Sequence, residues 1–410
     1  MPSAPCSNIR CCAPGTALAS EDCDVLVIGA GIHGAGVAQA AAARGHRVVV
    51  LEQTAPASGT SSRSSKLIHG GLRYLESAQF GLVRECLHER RVLLRIAPDL
   101  VRLRPFHIPV YRNTRRRSWQ IGLGLSLYAA LDGFAADSRF SQLPRHDWAR
   151  LDGLDTTGLQ AVFRYYDAQT DDAALTRAVL HSAQVLGAQL HMPARVTRVE
   201  RHAQGAKVFC QCGDDEREYN ARVLVNAAGP WVNDVLQKMV PAPVSMPVEL
   251  VQGTHIVLPG TLAQGMYYLE APTDHRAVFA MPWQDAVLVG TTETPYHGAP
   301  EAVVPLPTEL DYLLGTCAHY FPAYRGMTRA DIRSAYAGLR VLPAHPGAAF
   351  GRPRETLLHT DDPQRPTLLT IYGGKLTAYR ATAQKVMQCL AVSLPEPHRL
   401  VDTASLPLTV

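Results

Sequence analysis

Near the start of the chain, Gly29-Ala30-Gly31-Ile32-His33-Gly34 is followed, 23 residues after Gly29, by Glu52. Glycines at this spacing with a trailing acid suit the binding of a dinucleotide. Gly29 permits a sharp turn, Gly31 lets the backbone approach a pyrophosphate, and Gly34 lets a helix pack close to a strand. Helix N-terminal N–H groups and the positive end of the helix dipole then face the phosphates. A carboxylate at Glu52 would accept hydrogen bonds from a ribose, which favours FAD or NAD over NADP. The elements that hold such a site are legible around it. Asp24 to Ile28 (DVLVI) reads as a strand, the Ala-rich stretch from Ala35 to Arg44 as a helix, and Arg47 to Leu51 (RVVVL) as a second strand, a βαβ unit of about 30 residues. With 31 glycines in 410 residues the bare pattern is weak, and its alternative is an empty βαβ unit whose glycines serve packing alone. The strand-helix-strand setting and the terminal acid favour the binding site.

A second glycine turn lies near the other end. Thr367 to Tyr372 reads as a buried strand that enters Gly373-Gly374-Lys375-Leu376-Thr377 and then a helical stretch to about residue 391. A glycine turn at a helix N-terminus can bind an electron-rich carbonyl or an anion. Between the two turns, residues 195–200, 206–212 and 216–225 alternate as a three-stranded meander that runs into Asn226-Ala227-Ala228-Gly229-Pro230, small residues where a backbone passes close to a ligand or helix. Residues 244–292 give further alternating runs, among them 254–258, 277–281 and 286–290, the pattern of an antiparallel sheet in a separate layer.

Length and composition narrow the class. A chain of 410 residues, 47% hydrophobic and 19% charged, is expected to form two to three domains and is neither disordered nor necessarily membrane-embedded. The 35 arginines and five lysines against 36 acids leave a net charge of +4, too mild to imply a nucleic-acid partner. Nine cysteines, odd in number and without a C-x-x-C pair, support neither a disulfide nor a metal framework. Residues 1–23 lack the apolar core of a secretory signal and read as a disordered leader. Arg112, Arg115, Arg116 and Arg117 precede the uncharged run Ser118 to Leu131, which includes Trp119 and falls short of the roughly 20 residues a spanning helix needs. This segment reads either as an interfacial anchor on anionic lipid or as a helix with a solvated basic turn.

The stretch Thr60-Ser61-Ser62-Arg63-Ser64-Ser65-Lys66-Leu67-Ile68-His69-Gly70-Gly71-Leu72-Arg73-Tyr74-Leu75 is the most specific signal in the chain. With the first glycine turn it closely resembles the FAD-dependent, aerobic-type glycerol-3-phosphate dehydrogenases. Thr170-Asp171-Asp172, Asn226 to Trp231, Gln252-Gly253-Thr254-His255, Gly290-Thr291-Thr292, Tyr336 to Arg340 and Gly373 to Arg380 follow in the family's order, so the likeness covers about residues 24–391.

The resemblance implies oxidation of sn-glycerol 3-phosphate to dihydroxyacetone phosphate, with hydride passing to flavin N5 and electrons on to membrane quinone. Such chemistry needs a base for the alcohol proton and guanidinium groups for the phosphate. By that likeness His255 is the candidate base, although a structural histidine is the ordinary alternative among 16. Arg340 and Arg354 resemble the phosphate-binding arginines, and Arg73 with Tyr74 lines the same pocket. Lys375 either stabilises negative charge on the reduced flavin and faces the phosphate, or is a helix N1 lysine pointing to water. Ser61, Ser62 and Ser65 bond the FAD pyrophosphate or ribityl chain, or cap a nearby helix. Val196, Ala228, Gly229, Gly373, Gly374, Leu376 and Thr377 complete the expected FAD contacts with Gly29, Gly31, Gly34 and Glu52; His33 and His69 are left unassigned. No metal site is expected.

The fold implied is α/β, a Rossmann-like, glutathione-reductase-like FAD-binding domain with an antiparallel-sheet substrate or cap domain. Residues 24–98, 165–243 and 336–392 are expected in the first, 99–164 and 244–335 in the second, with 393–410 as a tail. The family's usual members continue into an all-helical C-terminal domain, so this chain is expected to be a short member without it. A peripheral position on the inner face of the cytoplasmic membrane follows from a quinone acceptor. Two rivals stand beside this reading: a flavoenzyme acting on another small 2-hydroxy acid or amine, and an inactive flavin-binding scaffold.

Overall fold

The computed structural model describes residues 9–10, 21–344 and 356–409. The run that begins at Cys23 forms the centre of the first sheet because it is apolar on both faces: six of the eight residues of Glu21–Ile28 are buried. Val48–Leu51 and Asp215–Asn226 flank it in parallel, and Gln189–His191 extends the parallel set past Val48–Leu51. The helix Ile32–Ala42 follows at once and buries ten of its eleven residues. It is apolar all round, so it needs cover on every side, which the helices Asp172–Val185 and Tyr379–Leu390 provide. Ala35, Ala38, Leu175, Val179, Tyr379 and Val386 share that core.

Asp215–Asn226 serves two neighbourhoods. Its first part pairs antiparallel with Gly205–Cys212, which pairs in turn with Arg195–His202, giving the expected meander. Its last three residues pair in parallel with Leu368–Tyr372. The parallel strands therefore end along one edge, where both glycine turns begin, the usual place for a ligand in such a sheet.

The second sheet is antiparallel apart from the pairing of Met266–Tyr267 with Phe106–His107. Val248–Leu258 pairs on one side with Ala286–Gly290 and on the other with Ser334–Pro343. Ala277–Trp283, Met266–Glu270, Val101–Tyr111 and Leu159–Thr170 continue the sheet. Helix Pro307–Tyr320 covers the outer face, with Leu313, Leu314, Cys317 and Tyr320 packed on Ile256, Leu258, Val287 and Val289. At the same edge Glu309 accepts hydrogen bonds from Gln252, Thr254, Thr292 and Thr294, which ties the helix to the strands Val248–Leu258 and Thr294–Tyr296 and to the link at residues 291–293.

Several expectations shift. Residues 165–170 and 336–343 belong to the second sheet rather than to the FAD layer, because a strand joins the partner that offers continuous register, and Ser334–Pro343 matches Val248–Leu258 over ten residues. The first strand begins at Glu21, and Ile9–Arg10 pairs in parallel with Gln189–His191, so the leader is not wholly without structure. Residues 393–409 are packed rather than trailing. The amides of Val401 and Leu408 donate to the carbonyls of Ala43 and Ile96, and Thr403 and Leu408 are buried.

Candidate active site and FAD cradle

The ends of the parallel strands and one face of the second sheet enclose a cavity of about 390 Å³, within the range of ligand pockets. Its first end is the glycine turn. Gly29 sits at φ +101°, and a Cβ there would meet the Ala227 carbonyl at 2.8 Å, so only glycine lets the two strand ends approach. A Cβ at Gly34 would fall 1.9 Å from the Gly29 carbonyl, which closes helix onto turn. Glu52 is fixed at the end of the neighbouring strand by the amides of Ala30 (2.8 Å) and Thr54 (2.9 Å), one on each carboxylate oxygen. Val196, Ala228 and Gly229 line the same end. Ser61 accepts from the Ile32 amide at 2.9 Å and so caps the helix, while the Ser62 hydroxyl donates to the Gly59 carbonyl.

At the second turn Gly374 adopts φ +123°. The helix starts only at Tyr379, so residues 373–378 form a loop and Lys375 is not a helix N1 residue facing water. Its ammonium lies 3.6 Å from the centroid of the Tyr74 ring and has no hydrogen-bond partner among the described residues. Thr377 Oγ1 accepts from the His69 amide at 3.1 Å, joining this loop to the Ser65-to-Tyr74 stretch. Leu376 lines the cavity beside it.

Sheet register assembles the third part. His255 lies opposite Gly290 on one neighbour and Tyr336 on the other. A Cβ at Gly290 would fall 2.1 Å from His255 Cδ2, so the glycine makes room for the ring. The imidazole stacks on Tyr336, with centroids 4.9 Å apart, and its Nε2 is 2.9 Å from Ser65 Oγ. Ser65 thus meets the histidine, a contact the sequence did not suggest. Burial, with Arg340 and Lys66 nearby, pushes the His255 pKa down to about 3, so the ring is neutral at working pH rather than poised at its own midpoint. Below it Lys66, buried, pairs with Asp172 at 2.5 Å.

Arg340 lies four residues beyond Tyr336 on the same strand and hence on the same face. Arg340 and Arg276 each reach an oxygen of Glu293 at 2.7 Å, and Arg73 approaches it at 3.9 Å. The Glu293 side chain is 5% exposed, whereas the three arginine side chains are 21–26% exposed and line the cavity. Of the residues singled out by sequence, all those described except Gly34 and Ser62 line this one cavity; Arg354 lies outside the described residues. Arg276, Glu293 and the stacking role of Tyr336 were not anticipated. Glu293 follows directly on the Gly290-Thr291-Thr292 motif, the only cue to it in the sequence, while Arg276 has none.

The cavity suits FAD on its own chemistry. Two glycine turns bracket it, a fixed carboxylate stands where a ribose would lie, and two of the residues lining it, Lys375 and His255, carry buried polar atoms, Nζ and Nδ1, with no hydrogen-bond partner among the described residues. Comparison with known proteins agrees. The family model described as FAD dependent oxidoreductase matches residues 24–380. The D-erythritol 1-phosphate dehydrogenase of Brucella abortus (strain 2308) is 38% identical, over 92% of this chain and 75% of that protein. The aerobic glycerol-3-phosphate dehydrogenase of Escherichia coli (strain K12) is 36% identical, over 90% and 74%. The structure of the glycerol-3-phosphate dehydrogenase from Bacillus halodurans complexed with FAD superposes with TM-score 0.72 at 26% identity, covering 94% of this chain and 68% of that one. As its motifs implied, this chain belongs to the FAD-dependent oxidoreductase family alongside these dehydrogenases, and FAD is its cofactor.

Proposed function

We infer that the chain oxidises the secondary alcohol of glycerol 3-phosphate to dihydroxyacetone phosphate. The observation that carries this reading is the convergence of His255, Lys375 and the arginines 73, 276 and 340 at one end of a cavity whose other end is a dinucleotide turn. FAD, when bound, supplies a two-electron acceptor for hydride. His255 takes the hydroxyl proton, and Tyr336 and Ser65 hold its neutral ring in place. The arginine forks clamp the phosphate, with Arg354 joining them by resemblance, and Lys375 adds positive charge beside Tyr74. One relative is named D-erythritol 1-phosphate dehydrogenase, which supports a second reading with a polyol one carbon longer and every residue in the same role.

Turnover with a dye acceptor on glycerol 3-phosphate, D-erythritol 1-phosphate and glycerol tests the assignment. We expect glycerol 3-phosphate to give the highest kcat/KM and glycerol a value on the order of 10³-fold lower, since the binding energy of the remote phosphate is lost. A preference for erythritol 1-phosphate would move the assignment to the second reading, and equal rates on glycerol would remove the phosphate clamp.

For the acceptor we propose membrane quinone, with the chain held peripherally on the inner face of the cytoplasmic membrane. No helix among the described residues is long and apolar enough to cross a membrane. Support comes from the helix Ser118–Leu131, which presents Trp119, Leu123 and Leu127 at four-residue spacing to the exterior, with exposed Phe134 beyond and exposed Arg112, Arg115 and Arg117 before it. Sedimentation with anionic vesicles but not with zwitterionic ones is the expected outcome; no sedimentation with either would contradict it.

A further inference from the structure

His33 is the second residue of the helix Ile32–Ala42 and has no part in the chemistry above. Its ring reaches from the first glycine turn to the second: a Cβ added at Gly374 would fall 1.9 Å from His33 Nε2. Both ring nitrogens are shut off from solvent, and neither has a hydrogen-bond partner among the described residues. Burial lowers the pKa to about 4, so the ring is a neutral imidazole with one donor and one acceptor to satisfy. Buried polar atoms without partners are rare and costly, and His33 lines the FAD cavity between Gly31 and Gly373.

The missing partner therefore comes from what fills that cavity. In a dinucleotide that meets Gly31 with its pyrophosphate and the residue 373–377 loop with its flavin ring, the intervening segment is the ribityl chain. Its hydroxyls both donate and accept, matching a neutral imidazole. We propose that His33 is a cofactor ligand that hydrogen-bonds the ribityl hydroxyls of FAD and bridges the two glycine turns through them. The contact depends on FAD being the cofactor and not on which polyol phosphate is oxidised, so its failure would leave the substrate assignment standing.

The test compares FAD dissociation constants and thermal midpoints, with and without FAD, for the wild-type chain, His33→Leu and His33→Asn. His33→Leu is expected to weaken FAD binding about tenfold or more, the loss of a hydrogen bond or two, while the FAD-free chain keeps or raises its midpoint because unpartnered polar atoms have been removed. His33→Asn, which keeps a donor and an acceptor, is expected to recover most of the affinity. A packing role alone would lower the FAD-free and FAD-loaded midpoints together and leave the FAD-dependent increment unchanged, which would overturn the proposal. So would a leucine variant that binds FAD as the wild type does. If the leucine variant does not fold, ¹⁵N-histidine spectra of the wild-type chain decide: the His33 ring nitrogens shift on FAD addition if they are ligands, and unmoved resonances refute the contact.

Discussion

Two arginine-carboxylate clusters in this chain use the same groups in different proportion. In one, carboxylates outnumber arginines: Arg90 is fully buried and serves Asp132, Asp137 and Asp167, the partly exposed Arg91 also reaches Asp132, and Tyr128 and Ser138 close the network. In the other, Arg73, Arg276 and Arg340 share Glu293 on the wall of the FAD cavity. The first joins the helix Phe80–Ile96 to the strand Leu159–Thr170 and to the turn after helix Ser118–Leu131, a structural bond whose guanidinium is closed off and of which only Asp167 borders the cavity. The second keeps guanidinium groups at a cavity surface, where a phosphate can reach them. Stoichiometry and exposure, rather than residue type, separate holding from binding.

The largest expected effect is on the sealed cluster. Arg90→Leu leaves three carboxylates around an apolar side chain and should lower unfolding stability by ~3–5 kcal/mol in urea titrations. A loss below about 1 kcal/mol would mean that the cluster is not what ties those elements together. Next comes the open cluster. Arg340→Ala removes a charge-assisted bond worth ~1.5–3 kcal/mol, so KM for glycerol 3-phosphate should rise about 10- to 100-fold with little change in unfolding midpoint. Arg340→Lys should restore only part, because a point charge cannot form the paired bonds of the fork. An unchanged KM in Arg340→Ala would remove the clamp.

Acid sharpens the contrast further. Burial lowers the pKa values of His33 and His255 in the cavity, and of His107 beside Tyr267, to about 4, 3 and 4 from the ordinary imidazole value of about 6.5. Below pH 6.5 the unfolded chain binds protons that the native chain refuses, so stability present above that pH is lost on acidification, by ~1.4 kcal/mol per pH unit for each group. Asp167 in the sealed cluster is raised by burial and has the opposite sign, taking up its proton in the native state first and offsetting part of the loss. The native chain should therefore weaken from about pH 6.5 downward, with His46, also lowered by burial, adding in the same direction, and His107→Phe should flatten the slope without abolishing it. A stability curve flat between pH 6.5 and 5 would contradict the neutral, buried state of these rings.

Much of the site could be read before the fold, because its parts lie in short segments. The Gly29-to-Glu52 unit, the Gly373-to-Thr377 turn and His255 in its strand each carry local sequence that constrains the backbone. What could not be read depends on pairing between distant segments. Whether Ser334–Pro343 lies in one sheet or the other is decided by its register with Val248–Leu258, and the same register sets Tyr336 against His255. Ser65 looks like any serine near a phosphate loop until the fold brings it to His255, 190 positions away in sequence. Arg276 and Glu293 become a cluster only through the turn between two adjacent strands and their neighbour.

The central claim is that glycerol 3-phosphate reduces the FAD held between the two glycine turns. An anaerobic titration of the purified flavoprotein with glycerol 3-phosphate, followed in the visible spectrum, tests it without any acceptor. The account expects the oxidised-flavin band to disappear as substrate is added; a protein-bound flavin that stays oxidised at saturating glycerol 3-phosphate would contradict it.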